Sequence, residues 1–469
     1  MKIQDPPIEL LKPIVNLFNN GKLQQTLSDT SQLLEKFPNS LILCNISGAS
    51  NAGLMQFDDA IESYKKALEI KPDYPEAYYN MGIALKNQGN LDAAIDSYKK
   101  VLELKPHYVE AYFNMGNILK DKGDFEAAIE SYNNALEIDP DYVEVNNNLG
   151  IAFKDKGDFE AAIDSFNKAL EINPDYVEAK ENLLSLIASY SPQKENLNLI
   201  VKVNEEISKI KIRGNILKII SDDQVVNLFS RSEDCITSFG LELKTKQSQV
   251  FRYNSVNLDC TRHKSIFDKH EIIPEFCFGC YKVEVEPRSI IELIKLFIVF
   301  DQLELVENNT RKCMVELRPE ISGFYKGLIF CSGLKQANLI ADHLDKIIKQ
   351  SIGLGLSSSV KRGCSEYAIS YPDYKKIKQS GPQLMNFNND WKVFEDSHDR
   401  KNSIYFKKTV RKSLNGLNLS DILIIRNWID YAKGINDPSA NLLSQNTVYY
   451  QNIYDQAKAS LNHFNLITL

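Results

Sequence analysis

A period of 34 residues governs the first part of this chain. Gly48, Gly82, Gly116 and Gly150 fall at that interval, as do Ala60, Ala94, Ala128 and Ala162, and Pro72, Pro106, Pro140 and Pro174 close the successive units. A repeat of this length is one supersecondary unit that cannot bury its apolar face alone, so neighbouring units must stack into a helical solenoid. Four units are clear, at 41–74, 75–108, 109–142 and 143–176. In the third, Gly116, Ala128 and Ala135 allow close helix approach, while Leu119, Phe125, Ile129, Tyr132 and Leu136 fill the space between. Gly123 breaks the first helix of that unit and Pro140 stops the second. Residues 7–40 form a degenerate unit that keeps Gly21 and Pro38 in phase but loses the alanines. Residues 177–187 predict the terminal capping helix that such stacks need.

These small residues and aromatics stand at the offsets of the tetratricopeptide consensus, and residues 7–187 resemble that family. Within it, the phrases around Asn-Met-Gly and Leu-Lys-x-x-Gly are similar to the superhelical arm of O-linked N-acetylglucosamine transferases. That resemblance implies a concave groove in which an asparagine two residues before the glycine grips peptide backbone. The matching positions are Asn80, Asn114 and Asn148, with Asn182 in register in the cap and Ile46 departing in the first unit. Asparagine suits the task because its amide donates and accepts together, so it pairs with an extended backbone whatever the side chains. Lys86, Lys120 and Lys154 recur two turns further along, and Tyr79 and Phe113 are expected to add aromatic surface. Duplication of a neutral residue would produce the same asparagines. Nothing downstream resembles the transferase's sugar-nucleotide domain.

The chain's 469 residues and net charge of −7 hide an asymmetry. Residues 1–190 hold 17 Lys and no Arg against 30 acidic residues, whereas the remainder holds 38 basic against 32 acidic. A chain of this length divides into two or three domains. Solvated repeat faces explain the acidic arm most simply, though complementarity between the halves or different partners would also fit. Residues 1–7 are polar, with no signal peptide expected, and the apolar run 290–300 is too short to span a bilayer. A cytoplasmic protein is expected, with its eight cysteines serving as thiols or metal ligands rather than as a disulfide framework.

Between 254 and 287, Cys260 and His263 form C-x2-H, and Cys277 and Cys280 form C-x2-C. Two-residue spacing turns both members of a pair toward one ion, and four soft ligands suit a closed, structural, tetrahedral zinc site. A loop-rich segment poor in apolar residues would gain folding energy from the ion. Competing readings are separate buried thiols with a surface histidine, a redox C-x-x-C, and an iron–sulfur cluster in which Cys364 replaces His263. His270 is a spare ligand.

Beyond Cys280 the pattern predicts a strand over 281–286, a helix over 289–305, strands over 312–318 and 324–331, a helix over 334–350 and a strand over 358–370. This β-α-β-β-α-β order is that of ferredoxin-like folds. RNA recognition shares it, but Lys282, Glu284 and Glu286 occupy the polar face of the first strand where stacking aromatics would be needed. The run from Arg362 to Tyr367 puts a thiol beside a cation and a carboxylate without a paired histidine. Residues 371–420 are poorly periodic, with Trp391 expected to dock them, and two helices, over 420–432 and 444–464, close the chain.

The sequence therefore predicts a multidomain protein: a tetratricopeptide solenoid over 7–187, a mixed connector over 188–253, a zinc-binding segment over 254–280, a ferredoxin-like α+β domain over 281–370, and an irregular tail. The expected function is a scaffold binding a protein or peptide in the solenoid groove, with neither membrane nor nucleic acid as partner. The alternative is an enzyme whose arm recruits a protein substrate. A deep polar pocket in the second half would favour the enzyme, and a flat surface the scaffold.

Overall fold

A computed structural model describes residues 4–193, 196–210, 218–252, 260–364, 367–380, 382–401, 417–443, 448 and 450–468. The chain falls into two compact units, Met1–Asn182 and Leu183–Leu469.

The first unit is a stack of helix pairs. Each clear repeat places a first helix (Leu41–Gly53, Pro75–Gln88, Val109–Asp121, Val143–Lys156) against a second (Phe57–Ile70, Leu91–Leu104, Phe125–Ile138, Phe159–Ile172). The repeated glycines explain the pairing. A Cβ on Gly116 would stand 2.7 Å from Cε1 of Tyr132, and the same relation joins Gly48 to Tyr64, Gly82 to Tyr98 and Gly150 to Phe166. A buried ring thus packs against bare helix backbone in each of the four clear repeats. Ala60, Ala94, Ala128 and Ala162 are fully buried beside them. Three of the second helices start on a side-chain cap: Asn90, Asp124 and Asp158 accept from the backbone N–H three residues on. All four end two residues before the repeat proline, which cannot continue the hydrogen-bond ladder. The degenerate unit forms helices Ile8–Asn19 and Leu23–Lys36, with Thr26 buried where later units have alanine. The turn between paired helices needs a left-handed residue, supplied by Gly21, Gly89, Gly123 and Gly157. The first clear repeat has Met55 there, at φ 61°.

The second unit is built on a five-stranded antiparallel sheet: β1 (Gln249–Arg252), β2 (Tyr281–Val285), β3 (Arg311–Val315), β4 (Tyr325–Cys331) and β5 (Ser358–Arg362), in the order β1-β3-β4-β2-β5. Helices Ile290–Gln302 and Leu334–Ser351 occur where expected. Gly327 on β4 leaves room for Leu296 and Phe300 of the first of them. Three expectations are corrected. β1, inside the supposed connector, joins the sheet by pairing with β3. The last strand ends at Arg362 rather than 370, and Tyr367–Ser370 is helical. The segment expected to be loop-rich forms helices Cys260–His270 and Glu275–Gly279 and buries Ile266 and Ile273. Helix Val177–Ile187 forms over the segment expected to be the terminal helix of the stack.

Helix Leu419–Gly434 is buried along nearly its whole length. Its Asp421 takes both ends of the Arg252 guanidinium, whose Nε donates to Asp301 at 2.6 Å. Trp428 donates from Nε1 to Ser248 O at 2.8 Å. Helix Gln451–Thr468 follows. Trp391 does dock its segment, packing near Phe278, Tyr371 and Phe387. Of the singled-out positions, Ser365, Glu366, residues 254–259, 402–416 and 444–447 lie outside the described residues. No described helix is long and apolar enough to cross a membrane.

Candidate functional site

Two places carry candidate chemistry: the first helices of the repeats, and one end of a cavity on the sheet of the second unit.

On the first helices, the structure brings the predicted asparagines into a ladder. Asn80 Nδ2 donates to Asn45 Oδ1 at 3.1 Å, and Asn114 Nδ2 to the Tyr79 hydroxyl at 3.0 Å. Asn148 Nδ2 donates to Asn117 Oδ1 at 2.8 Å, and Asn182 Nδ2 to Asn147 Oδ1 at 2.9 Å. Every bond runs back to the preceding repeat, so these amides tie the stack together. All four are half-buried. An amide carries two N–H groups and two carbonyl lone pairs, so a single inter-repeat bond leaves capacity for a ligand. The acceptors Asn45, Asn117 and Asn147 escaped the sequence reading. Asn45 and Asn147 sit one residue before the ladder register and Asn117 three after it, so no shared offset marks them.

Tyr79 and Phe113 are half-buried and pack against rings of their own repeats. Tyr79 lies 5.1 Å from Tyr108 and 5.9 Å from Tyr98, and Phe113 lies 5.4 Å from Tyr142. Lys86, Lys120 and Lys154 are half-buried. Lys120 pairs with Asp121 at 2.8 Å. Asp155, beside Lys120 and Lys154, has its carboxyl pushed up by burial, an effect those two cations partly oppose.

In the second unit, a cavity of about 1140 Å³ is lined by Lys282 and Glu284 of β2, Lys312 and Met314 of β3, Lys326, Leu328 and Phe330 of β4, and Lys361 of β5. Helix Cys260–His270 contributes Cys260 and Lys264. Two of its carboxylates are matched: Glu284 takes Lys361, and Glu316 takes Arg318 at 2.8 Å and Lys326 at 3.3 Å. Lys282 instead donates to Cys364 Sγ at 3.5 Å and lies over the Phe330 ring, and Lys312 donates to Gln249 at 3.4 Å. Burial, then the neighbouring Lys282 charge, lower the Lys312 ammonium to about 8.

The four proposed zinc ligands are not all brought together. Cys277 and Cys280 flank the end of helix Glu275–Gly279, where Cys280 N–H donates to Cys277 O at 3.2 Å. Cys277 Sγ lies 3.7 Å from the Tyr367 hydroxyl. Cys260 opens its helix, and its thiol bonds that of Cys364, the first cause of its upward shift. The His263 ring is buried and stacked on Phe276 at 5.2 Å, while His270 packs against Phe394. Burial pushes the Cys277 thiol up to about 12. Among the described residues, no three His, Cys, Asp or Glu side chains are already gathered around one point as metal ligands.

Profiles described as TPR repeat match residues 56–89 and 116–157, and those described as tetratricopeptide repeat match 75–108, 97–130 and 143–176. The peroxisomal targeting signal receptor of Candida glabrata is 31% identical over 85 residues, 18% of this chain and 14% of the receptor. That of Candida albicans is 34% identical over 75 residues, 16% of this chain and 13% of the receptor. The chain thus spans only about a seventh of the length of the curated relatives it matches. Among solved structures, MamA is 28% identical with a TM-score of 0.33, covering 34% of this chain and 93% of MamA. YrrB, titled a TPR protein with an unusual peptide-binding site, is 22% identical with a TM-score of 0.34, covering 38% of this chain and 91% of YrrB. Residues 56–176 are tetratricopeptide repeats.

Proposed function

We propose that the chain is a protein-interaction scaffold whose repeat arm takes an extended peptide along its concave face. The observation that carries this reading is the in-register row of half-buried asparagines, Asn80, Asn114, Asn148 and Asn182, each with amide capacity beyond its inter-repeat bond. Such a row reads main chain, so it selects an extended segment rather than a particular side-chain sequence. Lys86, Lys120 and Lys154 flank it and would favour a carboxylate-bearing peptide. The finer likeness to the arm of O-linked N-acetylglucosamine transferases rests on these residues alone. The second unit, in this reading, is a metal-steadied α+β domain of ferredoxin-like order. A cytoplasmic location goes with it, because cysteines that serve as thiols or metal ligands suit a reducing compartment.

The test is selection of extended peptides from a display library against the intact chain, followed by a variant with Asn80, Asn114 and Asn148 all changed to Ala. Each amide contact contributes about 0.5–1.5 kcal/mol net, so the triple change should weaken retained peptides by a few kcal/mol. The ladder also ties the repeats, so helical content and melting are measured alongside. Undiminished binding by a folded triple variant would end the reading.

A second reading, an enzyme whose arm recruits its substrate, is favoured by the polar cavity of about 1140 Å³ with its seven lysines. Such a pocket is the default place for a small ligand. Turnover by the intact chain that is lost on Lys282→Met would favour it.

A further inference from the structure

We infer that Cys260, Cys277, Cys280 and Cys364 form one four-thiolate metal site at the end of the sheet cavity, with Cys364 rather than His263 completing the set. This rests on the reading of the second unit as metal-steadied and changes which residues hold the ion.

The backbone does the gathering. In the β2–β5 pairing Tyr281 stands opposite Arg362, and Gly363 N–H donates to Cys280 O at 2.9 Å, extending the ladder one step. Cys364 therefore leaves the sheet beside Cys280. Gly363 makes that exit at φ 59°, where a Cβ would run into the Tyr374 hydroxyl. The same hydroxyl donates to Cys277 O at 2.6 Å, so one tyrosine buttresses both the knuckle and the turn. Cys277 and Cys364 share an apolar cluster with Tyr367 and Tyr374. The fourth thiol comes from helix Cys260–His270, whose Cys260 lines the same cavity as Cys364. A cysteine reaches its sulfur through a single torsion, so converging backbones are what a fold must supply.

The surrounding charge fits a thiolate centre. Four thiolates around a divalent ion carry a net charge of about −2, and burying it requires counter-charge and N–H donors to sulfur. Lys282 already donates to Cys364, and Lys312 lines the same cavity as Cys260 and Cys364. The neighbouring carboxylates Glu284 and Glu316 are taken by other cations. His263 is held elsewhere, with its ring on Phe276. A soft all-sulfur set takes either zinc or an iron–sulfur cluster.

The experiment is elemental analysis of the intact chain, purified anaerobically without added metal, beside Cys364→Ser and His263→Ala. Wild type should return one zinc per chain, or iron with matching acid-labile sulfide and visible absorption, and this tells the two centres apart. Cys364→Ser should lower metal content roughly tenfold or more, and His263→Ala should leave it unchanged. Should Cys364→Ser fail to fold, folded protein stripped of metal and reloaded with Co²⁺ counts sulfur ligands by its thiolate-to-metal bands: four supports the site, and three overturns it. Loss of metal from His263→Ala with retention by Cys364→Ser would overturn this ligand set and leave a metal-steadied domain standing. Wild type without bound metal would overturn both.

Discussion

Replacing Gly116 by Ala tests whether the ring-on-backbone contact sets the repeat spacing. The new methyl would stand 2.7 Å from Cε1 and 2.8 Å from Cδ1 of Tyr132, where carbon atoms rest at about 3.5–4.0 Å. Those are ring atoms in a fully buried side chain whose hydroxyl donates to Asn117 at 2.7 Å, so the ring has no free direction to retreat. Overpacking of this kind costs about 1–3 kcal/mol. Against it stands the helix-interior preference for Ala over Gly, about 0.5–1 kcal/mol. The net loss should be about 0.5–2 kcal/mol. In a Tyr132→Leu background the obstructing ring is gone, and the same Gly116→Ala change should turn stabilising by about 0.5–1 kcal/mol. The assay is amide hydrogen exchange of helices Val109–Asp121 and Phe125–Ile138 in the intact chain, because global unfolding of a repeat array with a second unit is not two-state. Gly116→Ala that stabilises with Tyr132 in place, or effects that simply add, would refute the reasoning.

Two further outcomes are expected. Met55 is the one non-glycine at the left-handed turn position, where an L-residue costs about 1–2 kcal/mol, so Met55→Gly should raise arm stability by about 0.5–1 kcal/mol after the unfolded-state entropy of glycine is subtracted. Gly89→Met should do the reverse, and hydrogen exchange at the two turns reads both. Burial raises the Asp155 carboxyl in the folded state, so its contribution is favourable at acid pH and lost as pH rises through the folded pKa. Asp155→Asn, which mimics the protonated form, should therefore raise the melting temperature at neutral pH and make no difference once pH falls below the ordinary aspartate range. A lower melting temperature for Asp155→Asn at neutral pH would mean that the attraction of Lys120 and Lys154 wins over burial.

The arm was legible because its contacts are local and repeated. One glycine, one alanine twelve residues on and one proline recur in phase, so each reading was made four times over and a local misreading would have broken the register. What the period hid was the difference between a residue that faces a groove and one that ties two repeats. Asn114 and Tyr79 come from adjacent units and bond each other, and that partnership exists only once the units are stacked. Periodicity marks a face of a helix but does not say how much of that face the next helix covers.

The second unit was harder because the contacts that define it join residues far apart in sequence. Strand β1 carries only four residues, too few to show an alternation, and it takes its place through Arg252, which reaches Asp301 and Asp421 on two other elements. Breaking such a buried charge group is expensive while its sequence signal is nil, because no spacing rule connects positions 252, 301 and 421. The cysteines pose the same difficulty in a sharper form. Spacing selected Cys260 with His263 because two-residue gaps are what a local knuckle looks like, and it selected Cys277 with Cys280 for the same reason. Helix formation from Cys260 onward alters the outcome for the other pair: it carries His263 round to Phe276 while the Cys260 thiol meets Cys364, delivered by the far end of β5. A ligand set assembled across a sheet follows no spacing rule, and beyond the presence of Cys364 itself its trace in the sequence is a glycine, Gly363, placed where a strand must turn sharply beside a thiol.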